Sequence, residues 1–550
     1  MGSESSVASE ACAPTDGVDA AVEVEAIRAQ VAKLTSERDQ YRSLYQAMLE
    51  RCKMLERGIL AGQKAERLSD PDQQLTLLVL GTLLARHGLE PQAAPDAEAP
   101  IAAKSGGAAQ KKAKRPPTGR KRLPAHLPCV PIEILPEEVK REGLDAFKRI
   151  GEEVCEVIER RPQSLVRVRI VRPKFVRKDR DREESAKIET APCAPLPILR
   201  GLAGPGLIAD SVVRRFDDHQ PLHRMESIYA REGLPLARST LCDWHMATAR
   251  LLSLLLEAMW KDALRAPYLC TDATGVLVQA KERCRTGHFW VVIAPELHVL
   301  YDFSARHDSA AVDKRLKAYR GYLVADAHTV YDHLYACGGV IEVGCWAHAR
   351  RYFFKSLATD PERAREALAW IGKLFEIERR QTEAGVSHAK RRSVRQEQSK
   401  PIVEAFYSWC ATQAELVLED TPIHAAIRYA TNQRKALERF LEDGQLPLHN
   451  NKSEAALRRQ AVGRRSWTFL RNDAGGVVNT TFVSLLASCK LHGIEPWGYL
   501  RDLLCLIGDW SARRVLELAP AYWRKTLEQP ETQQRLAANP FRNVSLGTLR

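Results

Sequence analysis

The spacing of apolar residues near the start of the chain predicts a long helix. Apolar residues recur at seven-residue steps through this stretch. They are Ile27, Leu34, Tyr41, Met48 and Leu55. Such heptads are typical of a coiled coil, and therefore of a homo-oligomer that is a dimer or higher. Glu37 and Arg51 occupy expected apolar positions, so an amphipathic helix packed on its own chain stays open as the alternative.

The next patterned region mixes a strand with several helices. SLVRVRIVRPKFVRK alternates apolar and basic residues and predicts a half-exposed strand, whereas residues 205–258 have helical periodicity. Two short helical patterns flank Glu232-Gly233-Leu234, which predicts either a DNA-binding helix-turn-helix or a plain helical hairpin. In the first case Arg238, Ser239 and Thr240 lie near the start of the second helix and contact DNA.

Residues 261–354 carry the most informative pattern. YLCTDATGVLVQ predicts a strand ending near Asp272, a turn at Gly275 and a second strand; HFWVVIAPELHVLYDFSA predicts two further strands. After a helix, GYLVADAHTVYDHL predicts a strand ending in Asp326, and VIEVGC and WAHARRYFFKSL predict a strand and a helix. Three antiparallel strands, a helix, a strand, a helix and a strand are the order of a ribonuclease H-like fold. Residues 355–445 are almost wholly helical and interrupt it.

These patterns predict a multidomain α+β protein with a ribonuclease H-like α/β catalytic core. The expected segments are a disordered 1–20, a coiled-coil or helical 21–92, a basic linker 93–123, a mixed segment 124–188, a helical, helix-turn-helix-like DNA-binding region 189–260, a first core part 261–354, a helical insertion 355–445, a final core part with the glutamate helix 446–490, and a helical C-terminal region 491–550.

Composition and charge point to a nucleic acid as the partner. The formal net charge is +13 and the pI is near 9.1, which favours a polyanion. KKAKRPPTGRKR is either an arm that contacts phosphates or a solvated linker. Its basic residues are Lys111, Lys112, Lys114, Arg115, Arg120, Lys121 and Arg122. The 13 scattered cysteines favour a reducing, cytoplasmic compartment over a disulfide scaffold or zinc ribbon, and no apolar run approaches a membrane span, so we expect no membrane partner.

Three carboxylates in this order predict a metal site. Asp272, Asp326 and Glu454 would supply the oxygen ligands that Mg²⁺ or Mn²⁺ prefers, and two such ions can support in-line phosphoryl transfer. Each residue also has a simpler interpretation. Asp272 could cap a turn. Asp326 could cap the next helix, and Asp332 could then be the functional acid in its place. Glu454 could complete a capping box with Asn451 and form an ion pair with Arg458.

A second cluster follows the Asp326 strand in Cys345-Trp346-Ala347-His348-Ala349-Arg350-Arg351. Cys345 and His348 could form half of a zinc site. Alternatively, Cys345 is a buried structural residue and His348 is hydrogen-bonded to the backbone. A third places His348 and Arg350 against the scissile phosphate and Trp346 against a base. In the later stretch GRRSWTFLRNDAGG, the sequence predicts that Arg464, Arg465 and Trp467 contact DNA.

At these motifs the sequence closely resembles the large transposase of the insertion sequence 66 family, a bacterial DDE-type enzyme. The matching blocks run in order through most of residues 120–525 and include DAT at 272–274, GHFWVVI, GYLVADAHTVYDHL, CWAHARRYF and LPLHNNKSEAALRR. The resemblance implies that Asp272, Asp326 and Glu454 are the catalytic and metal-binding triad. It also implies that the enzyme cuts at terminal inverted repeats and joins the ends to target DNA, near the bacterial nucleoid, with small accessory proteins of the element as possible partners.

Several positions depart from the family pattern. By this resemblance residues 124–188 are a degenerate zinc-binding-like segment without cysteine ligands. GLDAFKRIGEEV and PKFVRKDRD lack the family's zinc-binding cysteines, so we expect no zinc. His449 stands where the family usually has Asp, Ala273 where it often has Glu, and Ala327-His328 where Gly-Tyr is usual. These departures keep open a catalytically inactive or repurposed DNA-binding protein. A nuclease of the same fold that cuts without joining is a further alternative, and a coiled-coil scaffold would explain only residues 20–60.

Overall fold

The computed structural model describes residues 30–32, 35, 127–161, 164–177, 188–194, 196–198 and 201–548. Residues 30–32 and 35 are helical, while the rest of the predicted coiled coil and the whole basic linker lie outside the described residues. The chain divides into two units. The smaller contains residues 1–114, 352–368 and 417–426, and the larger contains residues 115–351, 369–416 and 427–550.

A small sheet opens the larger unit. Its elements are β1 (Cys129–Glu133), α1 (Glu137–Glu142), β2 (Phe147–Arg161), β3 (Ser164–Arg177) and β4 (Glu189–Thr190). β2 and β3 form a long antiparallel hairpin, and β1 pairs parallel with β3. β3 is the strand predicted from the alternation of apolar and basic residues. Its buried side chains, such as Val166 and Val168, pack beside Val157 of β2.

Four helices follow in the larger unit. They are α2 (Pro205–Phe216), α3 (Leu222–Arg231), α4 (Arg238–Leu251) and α5 (Ser253–Ala263). The two helical patterns predicted around Gly233 are confirmed as α3 and α4. Gly233 has a φ of 82°, a left-handed conformation that a residue without a Cβ adopts freely, and it ends the turn after α3.

The central sheet of the described residues has a mixed topology. Its elements are β5 (Tyr268–Val278), β6 (Arg285–Ala294), β7 (His298–Ser304), α6 (Ser309–Leu316), β8 (Gly321–Val324), α7 (Asp332–Ala336), β9 (Val340–Val343) and a two-residue β10 (Phe469–Leu470). The strand order is β7-β6-β5-β8-β9. β5, β6 and β7 are antiparallel, β8 and β9 run parallel to β5, and β10 pairs parallel with the far end of β5. The predicted succession of strands and helices is therefore observed.

The predicted turn at Gly275 is wrong. β5 is one continuous strand, because its ladder with β6 runs without a break from Cys270 to Val278 and pairs Gly275 with His288. Asp272 therefore lies within a strand and not at the end of one.

Residues 355–445 are largely helical, as predicted. The helices are α8 (Trp346–Ser356), α9 (Pro361–Glu383), α10 (His388–Val394), α11 (Lys400–Ala414), α12 (Pro422–Asn432) and α13 (Arg434–Glu438). One π-helical turn, Arg395–Ser399, separates α10 from α11. The smaller unit takes the end of α8, the start of α9 and the start of α12. The functions assigned to the segments stay predictions.

The last part of the chain returns to the sheets. It contains α14 (Asn451–Trp467), α15 (Asp473–Leu491), α16 (Pro496–Leu506), α17 (Trp523–Glu528), α18 (Pro530–Ala538) and α19 (Pro540–Leu546). α15 is long and apolar enough to cross a membrane by length and composition, contrary to the expectation from the sequence. It is largely buried, and its Ser484 and Ser488 hydroxyls accept backbone N–H groups of Tyr301 and Val299 on β7, as expected of a core helix.

Candidate active site beside the central strand

Asp272 and Asp326 occupy equivalent positions on neighbouring parallel strands. The ladder between β5 and β8 ends with Cys270 opposite Val324, and each aspartate lies two residues beyond its member of that pair. Side chains two residues apart on a strand share a face, so the register directs both carboxylates to the same face of the sheet, next to the end of β8. Both residues are half-buried. The sequence predicted a strand that ends in Asp326, and β8 ends two residues earlier, at Val324.

Asn450 brings the glutamate helix to the same place. It precedes the first residue of α14, and its side-chain amide donates to the backbone oxygen of Thr271, 2.8 Å away, one residue before Asp272. Its backbone N–H lies 3.2 Å from the Sγ of Cys345, in the segment before α8. Asn450 is fully buried. Its contacts fix the start of α14, and with it Glu454, against β5.

Glu454 faces α8 and does not cap its own helix. Its Oε1 accepts a hydrogen bond of 2.8 Å from Nη2 of Arg351 and lies 3.4 Å from Nε2 of His348. The residue before α14 is Asn450, so the capping box proposed from Asn451 to Glu454 is wrong. The ion pair is made with Arg351 on another helix and not with Arg458.

Electrostatics tie the three carboxylates together. Burial, together with the charges of Asp326 and Glu454, raises the pKa of Asp272 to about 6, against the opposing effects of the Ala273 N–H and Arg351. Burial, aided by Arg351, lowers the pKa of His348, while Glu454 and Asp326 oppose this. Asp332, the alternative to Asp326, is exposed at the start of α7.

The donor chemistry of this site fits a divalent cation. Three carboxylates that repel one another are the oxygen ligands that Mg²⁺ or Mn²⁺ prefers, and a bound cation would neutralise them. Within the described residues, however, no three ligating side chains form a group tight enough to hold a metal ion. The guanidinium of Arg351 instead neutralises Glu454.

Cys345 and Trp346, the first two residues of this cluster, are buried and contribute to packing. Cys345 is buried, burial raises the pKa of its thiol, and its backbone oxygen accepts the N–H of His348. Trp346 is fully buried, and its indole N–H donates to the backbone oxygen of Leu437. The predicted base contact of Trp346 is therefore wrong, because no face of this ring is open to a nucleotide.

Arg351 is the residue that sequence reasoning missed. The motif assigned a phosphate contact to His348 and Arg350, and Arg350 is exposed. In a helix with 3.6 residues per turn, His348 shares a face with the residue three positions on, not two. Helical periodicity could therefore have identified Arg351 as the neighbour of His348 and Glu454.

The predicted DNA contacts at the end of α14 divide into three cases. Trp467 is buried in an apolar cluster with the guanidinium of Arg215 over its ring, so its predicted DNA contact is wrong. Nη1 of Arg464 donates to Oγ1 of Thr274 at 2.9 Å and to the backbone oxygen of Gly275, which ties α14 along β5. Arg465 is exposed, and its predicted role stays a prediction.

The residues predicted for the helix-turn-helix begin α4 as expected. Arg238 and Ser239 are exposed, Thr240 is half-buried, and the Arg238 guanidinium pairs with Glu226 of α3 at 3.0 Å. Their DNA contacts stay predictions. The basic residues predicted in the linker, from Lys111 to Arg122, lie outside the described residues.

His449 accepts a backbone hydrogen bond at the start of α14. Its Nδ1 accepts the N–H of Asn451, the first helical residue, at 3.3 Å, and its ring stacks on Phe375 with 5.7 Å between the ring centres. Burial lowers the pKa of this imidazole and so keeps the accepting nitrogen unprotonated. An aspartate oxygen could accept the same N–H, which explains how His449 replaces the usual residue.

Comparison with known proteins identifies the family. Residues 200–478 match the family described as "Transposase IS66 family", residues 484–521 match "IS66 C-terminal element", and residues 60–132 match "Transposase C of IS166 homeodomain". Uncharacterized protein y4hP of Sinorhizobium fredii is 31% identical over 412 residues, which cover 70% of this chain and 73% of the relative. Uncharacterized protein y4qI of the same organism is 29% identical over 436 residues, 75% of this chain and 79% of the relative. With a match that spans the central sheet and the glutamate helix, and a relative of this similarity, the chain belongs to the IS66 family of transposases.

Proposed function

We propose that this protein is a DNA transposase that cuts DNA strands at the ends of a mobile element and joins them to target DNA. The observation that carries the proposal is the approach of Asp272, Asp326 and Glu454 to one another beside the central strand β5. The strand order β7-β6-β5-β8-β9, with the first three strands antiparallel and the last two parallel to β5, supports a ribonuclease H-like core.

Asp272, Asp326 and Glu454 are the residues that would hold Mg²⁺ or Mn²⁺. When bound, such ions polarise a phosphodiester and lower the pKa of a water nucleophile. The protein's own contribution is placement: the β5–β8 register orients the two aspartates, and Asn450 holds Glu454 beside them. Arg351 and His348 supply donors next to Glu454, where a phosphate oxygen of the substrate could also be bound.

The test is metal-dependent cutting of a DNA fragment that carries the gene with its flanking sequence. Purified protein with Mg²⁺ should produce nicked strands and joined products on denaturing gels. Asp272→Asn should remove both while leaving binding of the fragment intact. Asp332→Asn is the matched control, because Asp332 is an exposed aspartate six residues after Asp326, and it should cut normally.

The other outcomes separate the alternatives. Binding without any cutting by the unmodified protein would identify a repurposed DNA-binding protein. Cutting without joined products would identify a nuclease. Cutting that survives Asp272→Asn would refute the proposed site itself.

A further inference from the structure

The outer side of α14 carries a regular stripe that leads away from the carboxylates. The exposed residues follow at steps of three, four, three and four. They are Ala455, Arg458, Val462, Arg465 and, just past the helix end, Phe469. Steps of three and four keep residues on one side of a helix, so the first four form one continuous line. The line begins one residue after Glu454.

The chemistry of this stripe differs from that of its neighbours on the same helix. Arg459 pairs with Asp217, and Arg464 is bonded to β5, whereas neither Arg458 nor Arg465 has a carboxylate partner among the described residues. Phe469 is 44% exposed, although Trp467 two residues earlier is buried. The stripe therefore presents one open aromatic ring and two cations that have no anionic partner in the described part of the chain.

An exposed apolar pair ends the stripe. Phe469 lies opposite Leu277 in the β10–β5 ladder, and Leu277 is 48% exposed. Thr468 precedes this pair with a φ of 60°, a left-handed conformation that turns the chain sharply from α14 into β10. An apolar ring held open beside guanidinium groups is the arrangement by which proteins stack bases of a single strand while binding its phosphates.

The path of the stripe follows β5 away from the candidate active site. α14 starts beside Thr271 through Asn450, passes Thr274 and Gly275 through Arg464, and ends where β10 pairs with Leu277. The ten helical steps from Ala455 to Arg465 span about 15 Å, enough for several nucleotides of a strand.

The C-terminal end of α14 and α4 both contact α2. The guanidinium of Arg215 on α2 lies over the ring of Trp467, 5.7 Å from its centre. On the same helix, Oγ of Ser211 lies 3.1 Å from Nε2 of His245 on α4. The end of α14 and the second of the two helices predicted as a helix-turn-helix therefore pack against the same helix.

We propose that this stripe binds the single DNA strand adjoining the scissile phosphate, with Arg458 and Arg465 on backbone phosphates and Phe469 stacked on a base. The choice of that strand rests on the proposed function. The binding surface itself rests on the exposed ring and on the two arginines, which contact no carboxylate of the residues that the structure describes.

The test measures binding of the full chain to fluorescein-labelled oligothymidine of 20 nucleotides by fluorescence anisotropy over a range of salt concentrations. Phe469→Ala should raise the dissociation constant about 5- to 100-fold with an unchanged salt slope, because one stacked base is lost. Phe469→Trp should retain binding. Arg465→Ala should reduce the slope of log affinity against log salt by about 0.7, because one phosphate contact is lost.

Matched controls are Leu416→Ala and Arg513→Ala, which truncate exposed side chains elsewhere in the larger unit. Thermal unfolding checks that every variant is folded. Stripe variants that bind like these controls would overturn the proposal. A second outcome would also overturn the proposal. If Phe469→Ala bound DNA normally but lost self-association in sedimentation, the surface would be an interface between two copies of the chain.

The two proposals fail separately. Normal oligothymidine binding by Phe469→Ala, together with cutting that depends on Asp272, would reject the stripe and leave the transposase assignment standing. Weakened binding by Phe469→Ala, together with no metal-dependent cutting by the unmodified protein, would retain the stripe and reject the transposase assignment.

Discussion

Two helices of the larger unit begin beside a glutamate, and the two glutamates are used in opposite ways. At the start of α2, Glu159 of β2 is fully buried, and its Oε1 accepts the backbone N–H groups of Arg160 at 2.6 Å and Leu207 at 2.8 Å. In the first turn of α14, Glu454 is about one-third exposed and leaves its own backbone for Arg351 and His348.

This difference shows what leaves a glutamate near the start of a helix free to contact side chains of other elements. Glu159 satisfies helix N–H groups directly, and a Cβ at Gly204 or Gly206 would collide with it, so the carboxyl is packed into a structural position. At α14, His449 accepts the first N–H and Asn450 anchors the helix. Glu454 is therefore not needed to begin its helix and can face Asp272 and Asp326.

The strongest test of this contrast is Glu454→Gln. Cutting should fall by about 10³-fold or more, a loss of about 4 kcal/mol of transition-state stabilisation, because one of the three proposed metal-binding charges is gone. The free energy of unfolding should change by less than about 1 kcal/mol, since an exposed ion pair contributes little. Gel assays of cutting and urea unfolding monitored by circular dichroism measure the two effects. A variant that unfolds easily would mean that Glu454 does support its helix.

Glu159→Ala should give the converse result. We expect the free energy of unfolding to fall by about 2–4 kcal/mol, because two backbone N–H groups lose their acceptor and a cavity is left. Cutting per folded molecule should be unchanged. Glu156→Ala is the control on the same strand: its side chain is 34% exposed and lies 3.9 Å from Arg167, so urea unfolding should change little. Equal losses of unfolding free energy in Glu159→Ala and Glu156→Ala would contradict the structural role of Glu159.

The pH dependence of stability sharpens the comparison further. Burial raises the pKa of Glu159 from 4.5 to about 8, against the backbone N–H groups of Arg160, Gly206 and Leu207 and the charge of Arg501. The folded state therefore holds its proton more tightly than the unfolded state. This stabilisation is complete below pH 4.5 and is lost as pH rises towards 8, with a slope of at most about 1.4 kcal/mol per pH unit.

The measurement is the difference in unfolding free energy between the unmodified protein and Glu159→Gln from pH 4.5 to 8. The unmodified protein should lose stability relative to this variant as pH rises. A difference that stays constant over this range would contradict the raised pKa of Glu159.

The smallest expected effect concerns His449. His449→Ala should cost about 1 kcal/mol of unfolding free energy, as the loss of a helix-start acceptor usually does, and His449→Asp should cost less because an oxygen can take the same N–H. Urea unfolding at pH 7 measures both variants. Equal destabilisation by the two substitutions would assign the role of His449 to its stacking on Phe375.

The sequence predicted most elements of the central sheet and placed Asp272 and Asp326 on two different strands, although Asp272 lies within β5 and not at its end. It placed a turn at Gly275, because glycine often interrupts strands, whereas β6 pairs with β5 through that residue. It also treated Trp467 as an open aromatic residue. Burial of Trp467 depends on packing against β5 and β6 residues far away in the sequence, and no local pattern near the tryptophan reports it.

The sequence by itself determined where strands and helices occur and which residues carry oxygen, nitrogen or aromatic groups. Periodicity and turn preferences act over a few neighbouring residues and can be detected without knowledge of the fold. Only the tertiary structure decided which of these side chains contact one another. The contact of Arg351 with Glu454 joins residues 103 positions apart, and that of Asn450 with Thr271 joins residues 179 apart. Such pairs exist only after the sheet and α14 have packed together. This packing leaves Glu454 free of capping and holds it beside the two aspartates.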